Sequence, residues 1–218
     1  MHATFWEHPA LENPDFGLCD ISGMLRTLSP GNARRHQKNS GSPGWTDWVI
    51  NNHALLLEMV APEVADPLGE LQNNPQPLLK SLGSGPRTLL HGDFQDRNLG
   101  WTLDGESQVI VLDWALAGYG LPTVDLGWFL DKVVYRSEVP PDAAISHYRQ
   151  CLARRLGQAF QDETWQRWQA LGRLAHILRL GFVIAWLSTQ AQTEEERTSW
   201  KRIVDGYNDP IRSALKRL

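Results

Sequence analysis

His91-Gly92-Asp93-Phe94-Gln95-Asp96-Arg97-Asn98, followed fifteen residues on by Asp113 at the end of Val109-Ile-Val-Leu-Asp-Trp114, is the stretch that decides how this chain reads. Thr88-Leu89-Leu90 forms a short extended segment that leads into His91. Leu99–Leu103 and Gln108–Leu112 flank Asp104-Gly105-Glu-Ser, which reads as a hairpin with an Asp-Gly turn. A hairpin there brings Asn98 and Asp113 together despite their separation in sequence. A loop carboxylate open to substrate can take the proton of an alcohol. A neutral amide oxygen and a second carboxylate suit a hard cation that bridges phosphate oxygens. Asp93, Asn98 and Asp113 are therefore the candidate base and the candidate metal ligands. His91 is expected to hold the loop by packing and by hydrogen bonding to backbone. Each of these residues alone would pass as turn chemistry, and the order of all of them carries the signal.

Outward from this stretch the chain is mostly helical. Residues 1–44 are rich in breakers (Pro9, Pro14, Gly17, Pro30, Gly31, Gly41, Pro43, Gly44), with a short helix expected around Ile21–Leu28. The basic cluster Arg34-Arg35-His36-Gln-Lys38 is expected on a solvated loop, with a phosphate-contacting patch as the alternative. Thr46 can cap a helix through Trp48, Leu55 and Met59 that ends before Pro62. A second helix begins near Pro75 or Pro77 and stops at Gly83. After Val124, helices are expected from Asp125, Asp142 and Thr164. A last helix runs through Trp200 and Tyr207 and is interrupted at Pro210. The fold class is α+β, predominantly helical, with a small β-hairpin at the loop. Residues 1–218 form one domain: 1–90 leading loops and helices, 91–128 the chemical core, and 129–218 a helical acceptor-binding part.

Composition narrows the function. With 218 residues and 42% apolar side chains the chain can bury a real core. Its formal charge of -4 comes with interspersed signs, so neither nucleic acid nor a membrane surface is an expected partner. The longest apolar stretch, Leu174 to Leu187, contains His176 and Arg179 and is too short to span a bilayer. Cys19 and Cys151 stand far apart without metal-site spacing, and the N-terminus does not read as a signal peptide. A reducing, cytoplasmic compartment is expected. Most of the ten Trp residues should be packing.

The stretch resembles the catalytic region of the aminoglycoside phosphotransferase and choline kinase-like family, relatives of protein kinases. Its catalytic loop is similar to His91-Gly-Asp93 with Asn98, and its metal-binding Asp to Asp113 in Leu-Asp-Trp. Gly118-Tyr-Gly-Leu-Pro-Thr-Val-Asp125-Leu resembles the family's Gly-x-Pro-x-x-Asp-Leu run. His2-Ala-Thr-Phe-Trp6 resembles a segment at the start of the second lobe. The resemblance implies Asp93 as catalytic base, Asn98 and Asp113 as magnesium ligands, and His91, Asn98 and Asp113 as the cofactor-binding set. It also implies that Asp125 and His91 brace the catalytic loop, Asp125 by accepting backbone hydrogen bonds. It implies transfer of the ATP γ-phosphoryl group to a hydroxyl of a small metabolite or antibiotic.

An active member also needs a sheet lobe with a phosphate-covering loop and a phosphate-holding Lys. Gly83-Ser-Gly85 reads as a turn, and Lys38 and Lys80 lie outside strands, so the chain reads as the C-terminal lobe alone. Three readings stay open: a shortened small-molecule kinase, a catalytically silent metabolite- or phosphate-binding module, and one half of a split enzyme whose other lobe is a separate chain. Acceptor specificity is expected after Trp128, where Trp165, Trp168, His176, Trp186 and Trp200 could shape a cleft for a cationic acceptor.

Overall fold

The helix Asp162–Gln190, α8, is apolar nearly all round, and residues 170–182 along it are buried without a break. A helix of that kind must lie at the centre of a fold or in lipid. Its length and hydropathy would allow a membrane crossing, but 83% of its most apolar window is buried by the rest of this chain. The computed structural model describes residues 1–40, 44–102 and 108–218.

In chain order the elements are β1 (Cys19–Asp20), α1 (Ile21–Thr27), α2 (Pro30–Ser40), α3 (Gly44–Met59), α4 (Pro62–Asn73) and α5 (Gln76–Leu82). Then come β2 (Thr88–Leu90), β3 (Leu99–Trp101), β4 (Val109–Val111), β5 (Gly118–Gly120) and α6 (Thr123–Lys132). Helices α7 (Pro141–Leu156), α8, α9 (Glu194–Asp205) and α10 (Asn208–Leu215) complete the described chain. The protein is predominantly helical with the β3-β4 hairpin, as the sequence pattern implies, and it carries a second, three-stranded sheet that the pattern does not show.

Helices α3, α6, α9 and α10 pack along α8, and the main core draws on Met24, Leu56, Leu68, Leu90, Leu174, Ile203 and Ile211. The approach of α6 to α8 is close enough that a Cβ on Gly172 would sit 2.1 Å from Thr123 Oγ1. A buried polar cluster locks the same helices. Asp131 on α6 accepts from Arg173, from His176 Nε2 at 2.7 Å and from Tyr207, and Arg173 also donates to the Gly127 carbonyl. Burial opposes the Asp131 charge, but Arg173, His176 and Tyr207 outweigh it and hold the carboxyl below its usual range. Burial holds His176 below its ordinary value, so a neutral ring donates to Asp131.

Two sheets position the central stretch. The first has the order β1-β5-β2, with β1 parallel and β2 antiparallel to β5. It places the end of β2, which runs into His91, beside the strand that leads to Asp125. The second is the β3-β4 hairpin, in register Leu99↔Val111, Gly100↔Ile110 and Trp101↔Val109. The expected Asp104-Gly105 turn, like Gly41 and Pro43, lies outside the described residues.

Several expectations need correction. Arg34-Arg35-His36-Gln37-Lys38 lies on α2: Ser29 Oγ caps it by accepting from Asn32 N, Pro30 opens it, and buried Ala33 anchors it on Val49 and Phe182. Helix α4 was not expected, because Pro62 and Pro67 obscure the helical spacing of its buried Val64, Leu68 and Leu71. Strands β1 and β5 are too short to show an alternating pattern. The break near the C-terminus falls at Gly206–Tyr207; Pro210 lies in the first turn of α10, where a missing amide costs little.

Buried His53 on α3 stacks on Phe182 at 4.4 Å, and its Nε2 donates to the Leu28 carbonyl at 2.9 Å. Its Nδ1 has no hydrogen-bond partner among the described residues, and burial lowers the ring from 6.5 to about 4. The unfolded chain takes up this proton near pH 6.5 and the folded chain does so only near pH 4. Stability from this residue is therefore full above pH 6.5 and lost as pH falls towards 4, by roughly 3 kcal/mol. Urea unfolding at pH 7.5 and pH 4.5 should show this loss, and His53→Gln should flatten it; an unchanged slope in the variant would contradict the assignment.

Candidate functional site

The site begins with a peptide clamped from both sides. Asp125, in the first turn of α6, is 2% exposed. Its Oδ2 accepts the His91 amide at 2.7 Å and its Oδ1 the Gly92 amide at 2.9 Å. Burial opposes its charge, but His2, whose Nε2 lies 3.3 Å from Oδ2, and the two amides outweigh that and lower its pKa. From the other side the Arg179 guanidinium of α8 donates to the Gly92 carbonyl. Gly92 has φ 79°, and a Cβ there would lie 2.1 Å from the Leu116 carbonyl oxygen. The loop can take this path only with glycine at its start.

His91 is fully buried and faces the protein. Its Nδ1 accepts from the Asp93 amide at 3.2 Å and its Nε2 donates to the Leu112 carbonyl at 2.8 Å. That bond ties the loop to the residue before Asp113. The Leu112 amide donates to the Asn98 carbonyl at 2.9 Å, which extends the hairpin ladder by one step. Asn98 and Asp113 are thus joined through main chain. Asp113 is exposed and left-handed at φ 59°, a conformation that costs about 1–2 kcal/mol and that Asp tolerates better than most residues. Its Oδ1 accepts from the Ala115 amide at 3.4 Å.

Asp93 is half-buried with an oriented carboxylate. Oδ1 accepts from Trp128 Nε1 at 2.7 Å and from Gln95 Nε2 at 2.8 Å, while Oδ2 accepts from Asn98 Nδ2 at 3.0 Å. Asn98 Nδ2 also donates to the Asp93 carbonyl at 2.8 Å. Because the amide nitrogen is committed to Asp93, Asn98 presents Oδ1 as its remaining polar atom. A carboxylate with one loaded and one lightly loaded oxygen can receive a hydroxyl proton.

The donors are oxygen atoms, the kind a hard cation takes. Asn98 Oδ1 and the Asp113 carboxylate are hard oxygen ligands, but no group of three His, Cys, Asp or Glu able to hold a metal occurs among the described residues. Two oxygen donors are too few for an autonomous metal site.

Three contributors were missed. Trp128 lies one turn along α6 from Asp125, a spacing that places both on one helix face. Arg179 is a charge within the most apolar stretch of the chain, which itself signals a buried partner. His2 accepts or donates at both ring nitrogens, touching Asp125 and Tyr148, and its carbonyl accepts from Thr88. The five aromatic residues expected to form a cleft do not converge. Trp165 packs on Phe160 and Tyr148, Trp168 on Trp6 and Phe160, Trp186 on Trp48, and His176 sits in the Asp131 cluster. Trp200 alone of the five faces the cations near the loop.

A buried carboxylate thus grips the start of the loop, an indole holds the loop carboxylate, and a hairpin joins Asn98 to Asp113. Residues 33–171, well over half of the chain, match the phosphotransferase enzyme family, and the chain belongs to it. No curated protein and no solved structure matches the chain.

The clamp gives a direct expectation. Gly92→Ala combines an unfavourable φ with a backbone collision and should cost roughly 2–4 kcal/mol in chemical denaturation. A loss below about 0.5 kcal/mol, the range of ordinary surface changes, would mean the loop follows another path.

Proposed function

We propose that this chain is the catalytic and acceptor-binding half of a magnesium-dependent phosphotransferase that moves the ATP γ-phosphoryl group to a hydroxyl of a small molecule. The observation that supports this reading most is the double use of Asn98: its amide nitrogen fixes Asp93 while its carbonyl oxygen remains for a cation beside Asp113. A single rigid loop then carries both the base and the metal ligand.

In this reading Asp93 accepts the acceptor's proton through Oδ2, while Trp128 and Gln95 hold Oδ1 so that the carboxylate cannot turn away. The acceptor O–P bond forms, the bond from the γ-phosphorus to its β,γ-bridging oxygen breaks, and ADP leaves with the electron pair. Asn98 and Asp113 would hold magnesium, which offsets charge on the phosphate oxygens when bound. Asp125, His91 and Arg179 fix the loop and touch no reacting atom.

The surface around Asp113 favours a partner for this half. Trp101, Val109, Ile110, Leu112, Trp114 and Leu116 are all exposed, on both faces of the β3-β4 hairpin and just beyond it. Apolar patches of that kind mark a surface that another group covers. The adenine of ATP, or a nucleotide-gripping lobe of the same or a separate chain, would lie there in a protein-kinase-like arrangement. This favours the kinase reading over a silent binding module.

With a nucleotide-gripping lobe supplied, Asp93→Asn should lower acceptor-dependent ADP release by roughly 10²–10⁴-fold with an unchanged unfolding midpoint, measured with magnesium-ATP and a panel of hydroxylated metabolites. Trp128→Phe should lower kcat about tenfold and leave the KM for ATP in place, since it removes one hydrogen bond to the base. Full turnover in Asp93→Asn would remove it as base. Residues 1–218 alone should bind magnesium-ATP weakly; micromolar affinity by calorimetry would show a complete nucleotide platform within them.

A further inference from the structure

A cleft of about 470 Å³ adjoins the catalytic loop, and its wall includes Arg97, Lys132, Arg136 and Trp200, with Glu195 and Glu196 on the α9 side. Arg97 comes from the short turn between Asp93 and Asn98. Lys132 lies one helical turn past Trp128, the residue whose indole nitrogen holds Asp93. Its ammonium nitrogen is 5.3 Å from the Trp128 ring centre and 5.3 Å from that of Trp200, and the Arg136 guanidinium is 5.0 Å from Trp200. Two aromatic faces thus gather cations at the edge of the base.

These cations are only partly compensated. None of Arg97, Lys132 and Arg136 forms an ion pair among the described residues, although Glu195 and Glu196 share the cleft. Glu196 is turned back to accept the Gln192 amide at 2.9 Å. Burial, and then the charges of Arg136 and Arg97, lower the Lys132 ammonium, which Asp96 and Asp93 offset in part. Three converging positive groups repel one another, and an anion placed among them relieves that repulsion while gaining charge-assisted hydrogen bonds.

We propose that this cleft is the acceptor subsite and that it selects acceptors carrying an anionic group, a carboxylate or a phosphate, near the hydroxyl that is phosphorylated. The inference rests on the phosphotransferase reading above and reverses the cationic preference expected from the aromatic residues of the sequence. Trp128 links the two ends of the acceptor: its Nε1 holds the base that takes the hydroxyl proton, and its ring carries the ammonium that takes the anion. One indole separates them, a spacing suited to a small hydroxy acid or a short sugar phosphate.

Tryptophan fluorescence reads the cleft without ATP, because Trp200 lines it and the Lys132 ammonium in its wall lies 5.3 Å from the ring centres of both Trp200 and Trp128. Glycerate and glycerol 3-phosphate, as the carboxylate and phosphate probes, should change the signal saturably, and glycerol and choline should not. Lys132→Met, which keeps an apolar stem over the rings, and Arg136→Gln should each weaken the anions by about tenfold or more, whereas Arg35→Gln on α2 should not. Equal affinity in wild type and both cleft variants, or tighter binding of choline than of either anion, overturns the proposal. ADP release with the same compounds separates the two claims. Phosphorylation of neutral or cationic acceptors without anion binding ends the inference and keeps the phosphotransferase reading. Anion binding lost in the cleft variants, with no ATP-dependent phosphorylation even when a nucleotide-gripping lobe is supplied in the same or a separate chain, retires that reading and leaves an anion-binding cleft.

Discussion

The Asp125 carboxylate, buried and accepting the amides of His91 and Gly92, is the constraint on which the rest of the site depends. A carboxylate so removed from water is tolerable only when its lone pairs are filled, and the loop amides fill them. The loop in turn needs a glycine at position 92 and a cation, Arg179, on its far carbonyl. Fixing this one peptide fixes the direction in which Asp93 leaves it. His91 then passes the constraint to the end of the hairpin through the Leu112 carbonyl. The candidate base and the candidate metal ligands are thereby referred to one buried charge on α6.

That charge is supported from three helices and from the N-terminal segment. The β1-β5-β2 sheet brings β2 and the entry to α6 side by side, and α6 lies on α8 at a distance set by glycine. The Asp131 cluster ties α6 to α8 and α10 and lies against the far side of Trp128 through His176, whose ring centre is 5.5 Å away. A change in that cluster would reach Asp93 through a single indole. The chain belongs to the phosphotransferase enzyme family, whose matched residues 33–171 include Asp93, Asn98 and Asp113. The acceptor is a question for the cation-lined cleft.

Much of this was legible in the sequence where residues signal locally. The His91–Asn98 loop, the hairpin strands and most helix starts follow from turn chemistry and helical spacing within a few neighbouring positions. What escaped depends on contacts between distant segments. Trp128 gains its meaning from Asp93, and Arg179 from Gly92, through packing of α6 and α8 that no window of sequence contains. Helix α4 was hidden by its two prolines, although its buried residues keep the helical period. The aromatic residues of the last ninety positions suggested a cleft, yet most turn inwards, because large rings fill the spaces between helices as readily as they line a pocket. Arg97, Lys132 and Arg136 gave no sign of belonging together until the catalytic turn, α6 and the residues after it were folded side by side.

Nuclear magnetic resonance with manganese-ATP shows whether Asn98 and Asp113 face the phosphates of a metal-bound nucleotide, as proposed. Paramagnetic broadening registers even weak binding, so a modest affinity does not hide the result. The Asn98 side-chain amide and the Asp113 and Ala115 backbone amides should broaden selectively, and Asp113→Asn should abolish the effect. Broadening centred elsewhere, or unchanged in that variant, would contradict that placement.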